Sequence, residues 1–164
     1  MYNDTQNEWF CKEAAKYRDS MIFLAMTIVR NPDDAEDALQ SALLKAYENL
    51  PQLKAPEKFK PWLYRVLVNE CCTLLRRRRQ HLPYEEWALP PAAEEPLPEK
   101  LALWDAVQQL RMEYRTVILL YYYEGLSVAH VAGILRISPA SAKKRLQRAR
   151  DALKTILEQG GEAQ

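Results

Sequence analysis

Glycine is scarce in this chain, four residues in 164, which argues against a β-rich fold with many tight turns. Cysteine is nearly as rare. Cys11, Cys71 and Cys72 show no CxxC or Cys/His ligand spacing, and adjacent Cys71 and Cys72 would point to different faces of a helix. Reduced thiols in a cytosolic protein are expected, with no metal site. The two histidines, His81 and His130, sit near no plausible nucleophile or ligand pair, and no glycine-rich phosphate loop is present. An active site of its own and a cofactor are therefore not expected. No apolar run reaches the roughly 18–20 residues that span a bilayer. The N-terminus lacks a basic segment followed by an apolar one. A cytoplasmic protein without membrane insertion is the expectation.

Net charge is also close to zero, at +1, but its distribution is uneven. Residues 1–82 hold 13 basic and 11 acidic groups, residues 83–98 hold none and 4, and residues 99–164 hold 10 and 7. The acidic middle, "PYEEWALPPAAEEPLP", contains five prolines, which remove backbone donors and disfavour helix in the preceding residue. It reads as an extended linker; 16 residues at about 3.1 Å each would reach roughly 50 Å. An all-α fold of two small helical domains follows, 10–82 and 99–158, joined by 83–98.

In the first block, residues 10–29 carry apolar side chains at helical spacing. A second helix starts at Pro32, a first-turn position, with Asp33 and Asp34 near its positive end. Its Ala35, Ala38, Leu39, Ala42, Leu43, Ala46, Tyr47 and Leu50 recur as one apolar face. A third helix, from Pro61, is expected to turn Leu63, Val66, Leu67, Cys71, Leu74 and Leu75 inward. In the second block, helices are expected from Glu99 to Arg111 and over 113–123, where Gly125 follows. Ser127 then caps a short helix with Val128, Val131, Ala132 and Leu135 inward. After the turn "RIS", Ser138 caps and Pro139 opens a last helix, whose buried stripe is Ala142, Leu146, Ala149, Leu153 and Ile156.

Helix, short turn, helix is the helix-turn-helix pattern, whose second helix enters the major groove. At 100° per residue the outer half of the last helix holds Ala140, Ser141, Lys143, Lys144, Gln147 and Arg148, flanked by Arg145 and Arg150. Six cations and no acid lie between Arg136 and Arg150, which suits duplex DNA better than a merely solvated face. A second basic element is Arg76, Arg77, Arg78 and Arg79, more cations than a helix C-terminus needs to offset its dipole. Upstream, Lys54, Lys58, Lys60 and Arg65 interleave with Phe59, Trp62 and Tyr64. Rings stack on unpaired bases for about 1–3 kcal/mol each while cations track the backbone. Trp62 remains open between this role and the core, and Asn69 is placed on the outer face of that helix, opposite Val66. The third element is acidic. Asp33, Glu36, Asp37, Gln40, Ser41 and Leu44 lie away from the core, and Asp37, Gln40 and Leu44 align along one ridge that suits a basic partner helix. A solvated surface is the competing reading of that ridge.

Three segments, "DDAEDALQSALLKAYENL", "FKPWLYRVLVNECCTLLRRRR" and "LRMEYRTVILLYYYEGLSVAHVAGILRISPASAKKRLQRARDAL", together resemble the extracytoplasmic-function group of bacterial sigma-70 factors, from about Tyr17 to Leu153. The resemblance implies an initiation factor without catalytic residues. One domain, similar to sigma region 2, would dock on the clamp of core RNA polymerase and melt the minus-ten element. The other, similar to region 4, would bind the minus-thirty-five element and the flap. Asp33, Asp37, Gln40 and Leu44 fall on the family's core-polymerase contact. Lys58, Phe59 and Asn69 fall where such factors capture an unstacked base, and Ser141, Lys143, Lys144 and Arg145 fall on the recognition helix. Departures are Arg136 in place of the usual Gly, Lys144 for Ser, and Pro61 for Thr or Ser. An anti-sigma factor is a further implied partner. A stand-alone regulator of duplex DNA would use the recognition helix but leave the ridge and the aromatic-basic loop idle. A protein-interaction module would leave the 143–150 cations idle.

Overall fold

The computed structural model describes residues 4–81 and 98–162, with side chains described for 4–78 and 102–160. Residues 83–97 of the expected linker lie outside the described residues, as do the side chains of Arg79 and His81; Pro98 opens a helix. Every regular element among the described residues is helical. The chain divides into two compact units, Met1–Leu89 and Pro90–Gln164.

The first unit is a three-helix bundle of α1 (Asp4–Val29), α2 (Pro32–Glu48) and α3 (Phe59–His81). Only Arg30 and Asn31 separate α1 from α2. Arg30 turns the chain in the left-handed region, φ 56°. Asn31 is extended and its side-chain oxygen accepts the Asp34 N–H at 3.1 Å, an N-cap that Pro32 follows at the first helical position. So short a connection makes the helices antiparallel, and the cross-contacts agree: Tyr47 Oη donates to Asn7 Oδ1 at 2.7 Å, and Arg18 pairs with Glu36 at 3.8 Å. Likewise α3 runs antiparallel to α2, with Arg78 beside Asp34 and Lys45 beside Glu70.

Two single-turn 3₁₀ segments, Leu50–Gln52 and Pro56–Lys58, lead into α3, which begins at Phe59, before Pro61. Proline fits there because first-turn amides have no intrahelical acceptor. The inward stripe of α3 is Leu63, Tyr64, Leu67, Val68 and Cys71. Val66, Leu74 and Leu75, expected inside, are half-buried, so the helix is rotated slightly from the expected face.

In the second unit α4 (Pro98–Gln109), α5 (Met112–Ile118) and α6 (Val128–Leu135) all pack on α7 (Pro139–Glu162). The α4–α5 corner is tied by Arg115, which is buried and donates Nη1–H to the Leu110 carbonyl at 2.9 Å. The helix expected over 113–123 is not uniform. Leu119–Tyr123 forms a π-turn, closed by Glu124 N–H to Leu119 O at 2.9 Å, with Leu119 and Leu120 buried and Tyr122 and Tyr123 exposed. Gly125 then takes φ +68°, which costs glycine little.

Candidate polymerase and nucleic-acid interfaces

On α2 the core positions Ala35, Ala38, Leu39, Ala42 and Ala46 are buried, which leaves Asp33, Asp37, Gln40, Ser41 and Leu44 exposed on the opposite side. Leu44 is 59% exposed. The four proposed contact residues therefore share one accessible ridge. Glu36 is half-buried and pairs with Arg18, so it stands outside that ridge.

The aromatic-basic segment departs from expectation. Phe59 is 2% exposed and Tyr64 fully buried. Phe59 lies at the centre of a ring cluster: Trp9 at 5.1 Å, Phe10 at 5.8 Å, Trp62 at 6.1 Å and Tyr17 at 6.4 Å between centroids. A ring closed in by other rings has no face left for a base, so Phe59 and Tyr64 are core residues and not stacking platforms. Trp62 is half-buried on the rim of that cluster. Trp9 and Tyr17, both half-buried, share the rim. Lys60 Nζ lies 5.6 Å from the Tyr17 ring centre and 5.8 Å from that of Tyr64, which fixes the ammonium over two aromatic faces. Lys54, Lys58, Arg65, Arg76 and Arg77 are exposed. Asn69 is not opposite Val66. Residues three apart lie about 60° from each other on a helix, and both are half-buried.

Burial displaces four ionisable groups in this unit, lowering Arg30 and raising Asp34, Cys71 and Cys72. Desolvation raises the Asp34 carboxyl pKa, and the neighbouring Arg78 guanidinium opposes that rise. Cys71 is pushed up to about 12 by burial, with a smaller contribution from Cys72. The three thiols are free, and among the described residues no cluster of His, Cys, Asp or Glu is arranged to hold a metal ion.

In the second unit the α6–α7 turn is built by local chemistry. Ser127 Oγ accepts the His130 N–H at 3.1 Å and starts α6. Arg136 ends it at φ 57°, ψ 43°, and Ile137 N–H reaches back to Ala132 O at 3.0 Å. Ser138 Oγ then accepts the Ser141 N–H at 3.1 Å and donates to Ser141 Oγ at 2.9 Å. On α7 Ala142, Leu146 and Ala149 are buried, whereas Leu153 and Ile156 are half-buried. Ser138, Ala140, Ser141, Lys143, Lys144, Gln147, Arg148 and Arg150 are exposed, and Arg145 is half-buried at their edge. One face of the helix is thus apolar and anchored, the other cationic with two small residues at its start. No helix among the described residues is long and apolar enough to cross a membrane.

Known proteins share this arrangement. Residues 14–81 match Sigma-70 region 2 and residues 100–153 match Sigma-70, region 4. ECF RNA polymerase sigma factor SigW of Bacillus subtilis is 32% identical over 158 residues, spanning 86% of this chain and 84% of the relative. The probable RNA polymerase sigma factor RfaY of Xanthomonas campestris is 33% identical over 153 residues, which make up 85% of this chain and 38% of that longer protein. Among solved structures, the Bartonella quintana sigma factor RpoE, crystallised with the anti-sigma factor NepR, superposes with a TM-score of 0.78 at 25% identity, covering 91% of this chain and 96% of the other. With both sigma regions in order on two helical units, the chain belongs to the extracytoplasmic-function group of RNA polymerase sigma factors.

Proposed function

We propose that this chain recruits core RNA polymerase through the α2 ridge and the second unit, carries it to promoters and helps open them, with no active site of its own. The observation that carries the reading is the division of α7. Ala142, Leu146 and Ala149 anchor it to the unit, and Lys143, Lys144, Gln147 and Arg148 are left to meet duplex DNA. Such a helix fits the major groove, and its phosphate contacts make affinity fall steeply with salt. The α2 ridge, Asp33, Asp37, Gln40 and Leu44, offers carboxylates around an exposed leucine to a basic, partly apolar partner such as the polymerase clamp.

Opening requires a flipped base, which costs a few kcal/mol of unstacking. Trp62 and Asn69, both half-exposed, are the side chains left to hold it once Phe59 and Tyr64 are assigned to the core, with Lys54, Lys58, Lys60 and Arg65 available for phosphates. Arg76 and Arg77 extend the cationic track at the end of α3. The protein works in the cytoplasm, and an anti-sigma factor is a further partner, as for the Bartonella relative crystallised with NepR. A mobility shift with and without core polymerase tests the reading. A sigma factor retards promoter DNA with core enzyme present; retardation of equal strength by the chain alone would instead identify a stand-alone regulator.

A further inference from the structure

The buried carboxylate of Asp34 takes no part in the proposed contacts, yet it faces the arginine run. Arg78 lies seven residues beyond buried Cys71, hence on the same side of α3, the side turned toward α2. Where the apolar stripe ends, the Arg78 side chain reaches the first turn of α2, and its Nη2 stands 2.6 Å from Asp34 Oδ2. The Asp34 side chain is 10% exposed and that of Arg78 41%. Arg76 and Arg77, by contrast, are exposed. The run of arginines therefore does not present one uniform surface.

Each partner is suited to its place. Asp34 sits at the positive end of α2 and Arg78 in the last turns of α3, so both helix dipoles favour these charges. The Asn31 cap holds the Asp34 backbone, and thereby the direction of its side chain. Guanidinium forks pair well with carboxylates, and a carboxylate this buried requires a cation.

We propose that Asp34 is a positioning residue that withholds Arg78 from nucleic-acid phosphates and fixes the course of the basic end of α3, so that Arg76 and Arg77 make the phosphate contacts there. This rests on the reading of that end as a promoter contact. It deepens that reading, because an internal carboxylate sets how many cations the helix offers and limits sequence-independent binding.

The test compares variants of the full chain, saturated with core polymerase, on mixed-sequence duplex DNA between about 50 and 200 mM salt. The contribution of the core enzyme is common to all and cancels from the differences. Each phosphate contact contributes about 0.9 to the slope of log affinity against log salt. Arg76→Gln and Arg77→Gln are expected to make the slope shallower by about that amount each, while Arg78→Gln leaves it unchanged. Asp34→Asn, which frees Arg78, is expected to steepen it by up to about 0.9. The double variant Asp34→Asn/Arg78→Gln, which strands no buried charge, should match the parent slope and serves if either single variant unfolds. A slope made as shallow by Arg78→Gln, or by the double variant, as by Arg76→Gln overturns the proposal; so does an unchanged slope in folded Asp34→Asn. If neither Arg76→Gln nor Arg77→Gln changes the slope, the promoter-contact reading itself is wrong, and the withholding role is rejected with it.

Discussion

The ring of Phe59 stands edge-on to that of Trp9, centroids 5.1 Å apart and planes at 67°, and this contact ties the start of α3 to the first turns of α1. The relationship decides what removing Phe59 would do. A buried Phe→Ala change costs about 3–5 kcal/mol in lost transfer energy and cavity, a large part of the stability of a small unit. Phe59→Ala should therefore lower the thermal midpoint sharply and lose polymerase and promoter binding together. Trp62→Ala, at the rim of the same cluster, should keep the fold and polymerase binding but reduce permanganate-reactive thymines in the open complex. A Phe59→Ala protein with parental stability and a specific melting defect would contradict this account.

Arg136 holds the turn before α7 with φ 57°. A residue with a Cβ in that region carries roughly 1–2 kcal/mol of strain that glycine avoids. Part of the gain is offset because glycine also makes the unfolded chain more flexible. Arg136→Gly is expected to raise the stability of the unit by about 0.5–1 kcal/mol, and Arg136→Val to lower it, both read from thermal unfolding. A lower midpoint for the glycine variant would refute the strain argument.

The α2 ridge and the α7 face should fail separately. Asp37→Arg combined with Leu44→Ala changes only exposed side chains, so helicity should persist while co-purification with core polymerase is lost. Lys144→Ala should leave co-purification intact and make the salt slope of promoter binding shallower by about 0.9. Loss of co-purification in Lys144→Ala, or intact co-purification in the ridge variant, would mean that the two surfaces were assigned wrongly.

Cys71 and Cys11 should differ in reactivity, since the thiolate is the nucleophile. Burial pushes the Cys71 thiol up to about 12, whereas Cys11 is exposed. At pH 8 an alkylating reagent should label Cys11 first and Cys71 only on unfolding. The sign of the stability effect follows. A thiol whose pKa is raised in the folded state contributes stability that is complete below its ordinary value of 9.0 and is lost as pH rises toward about 12. Mass-spectrometric mapping of labelled sites checks the first point, and unfolding midpoints between pH 8 and 11 check the second.

Much of the architecture was legible because it is locally encoded. The α2 periodicity, Pro32 after a polar residue, Ser127, Ser138 and Gly125 each act within four residues of where they stand. The π-turn at Leu119–Tyr123 was not legible, since five consecutive bulky residues satisfy an α-helical pattern as well. Phe59 misled because lysines on both sides suggest a wet surface. What buries it is α1, fifty residues earlier, through Trp9 and Phe10. The pairing of Asp34 with Arg78 has the same origin: 44 positions separate them, and only antiparallel packing of α2 and α3 brings them together. On α7 every expected outer residue is exposed apart from half-buried Arg145, because one amphipathic helix on one support follows its own periodicity.

The most direct measurement is run-off transcription from a promoter library by purified core polymerase with and without this chain. Added protein is expected to produce transcripts from a small set of templates sharing two spaced sequence elements, with core enzyme alone giving none of them. An identical transcript set with and without the chain, under conditions where the two proteins co-purify, would contradict the assignment.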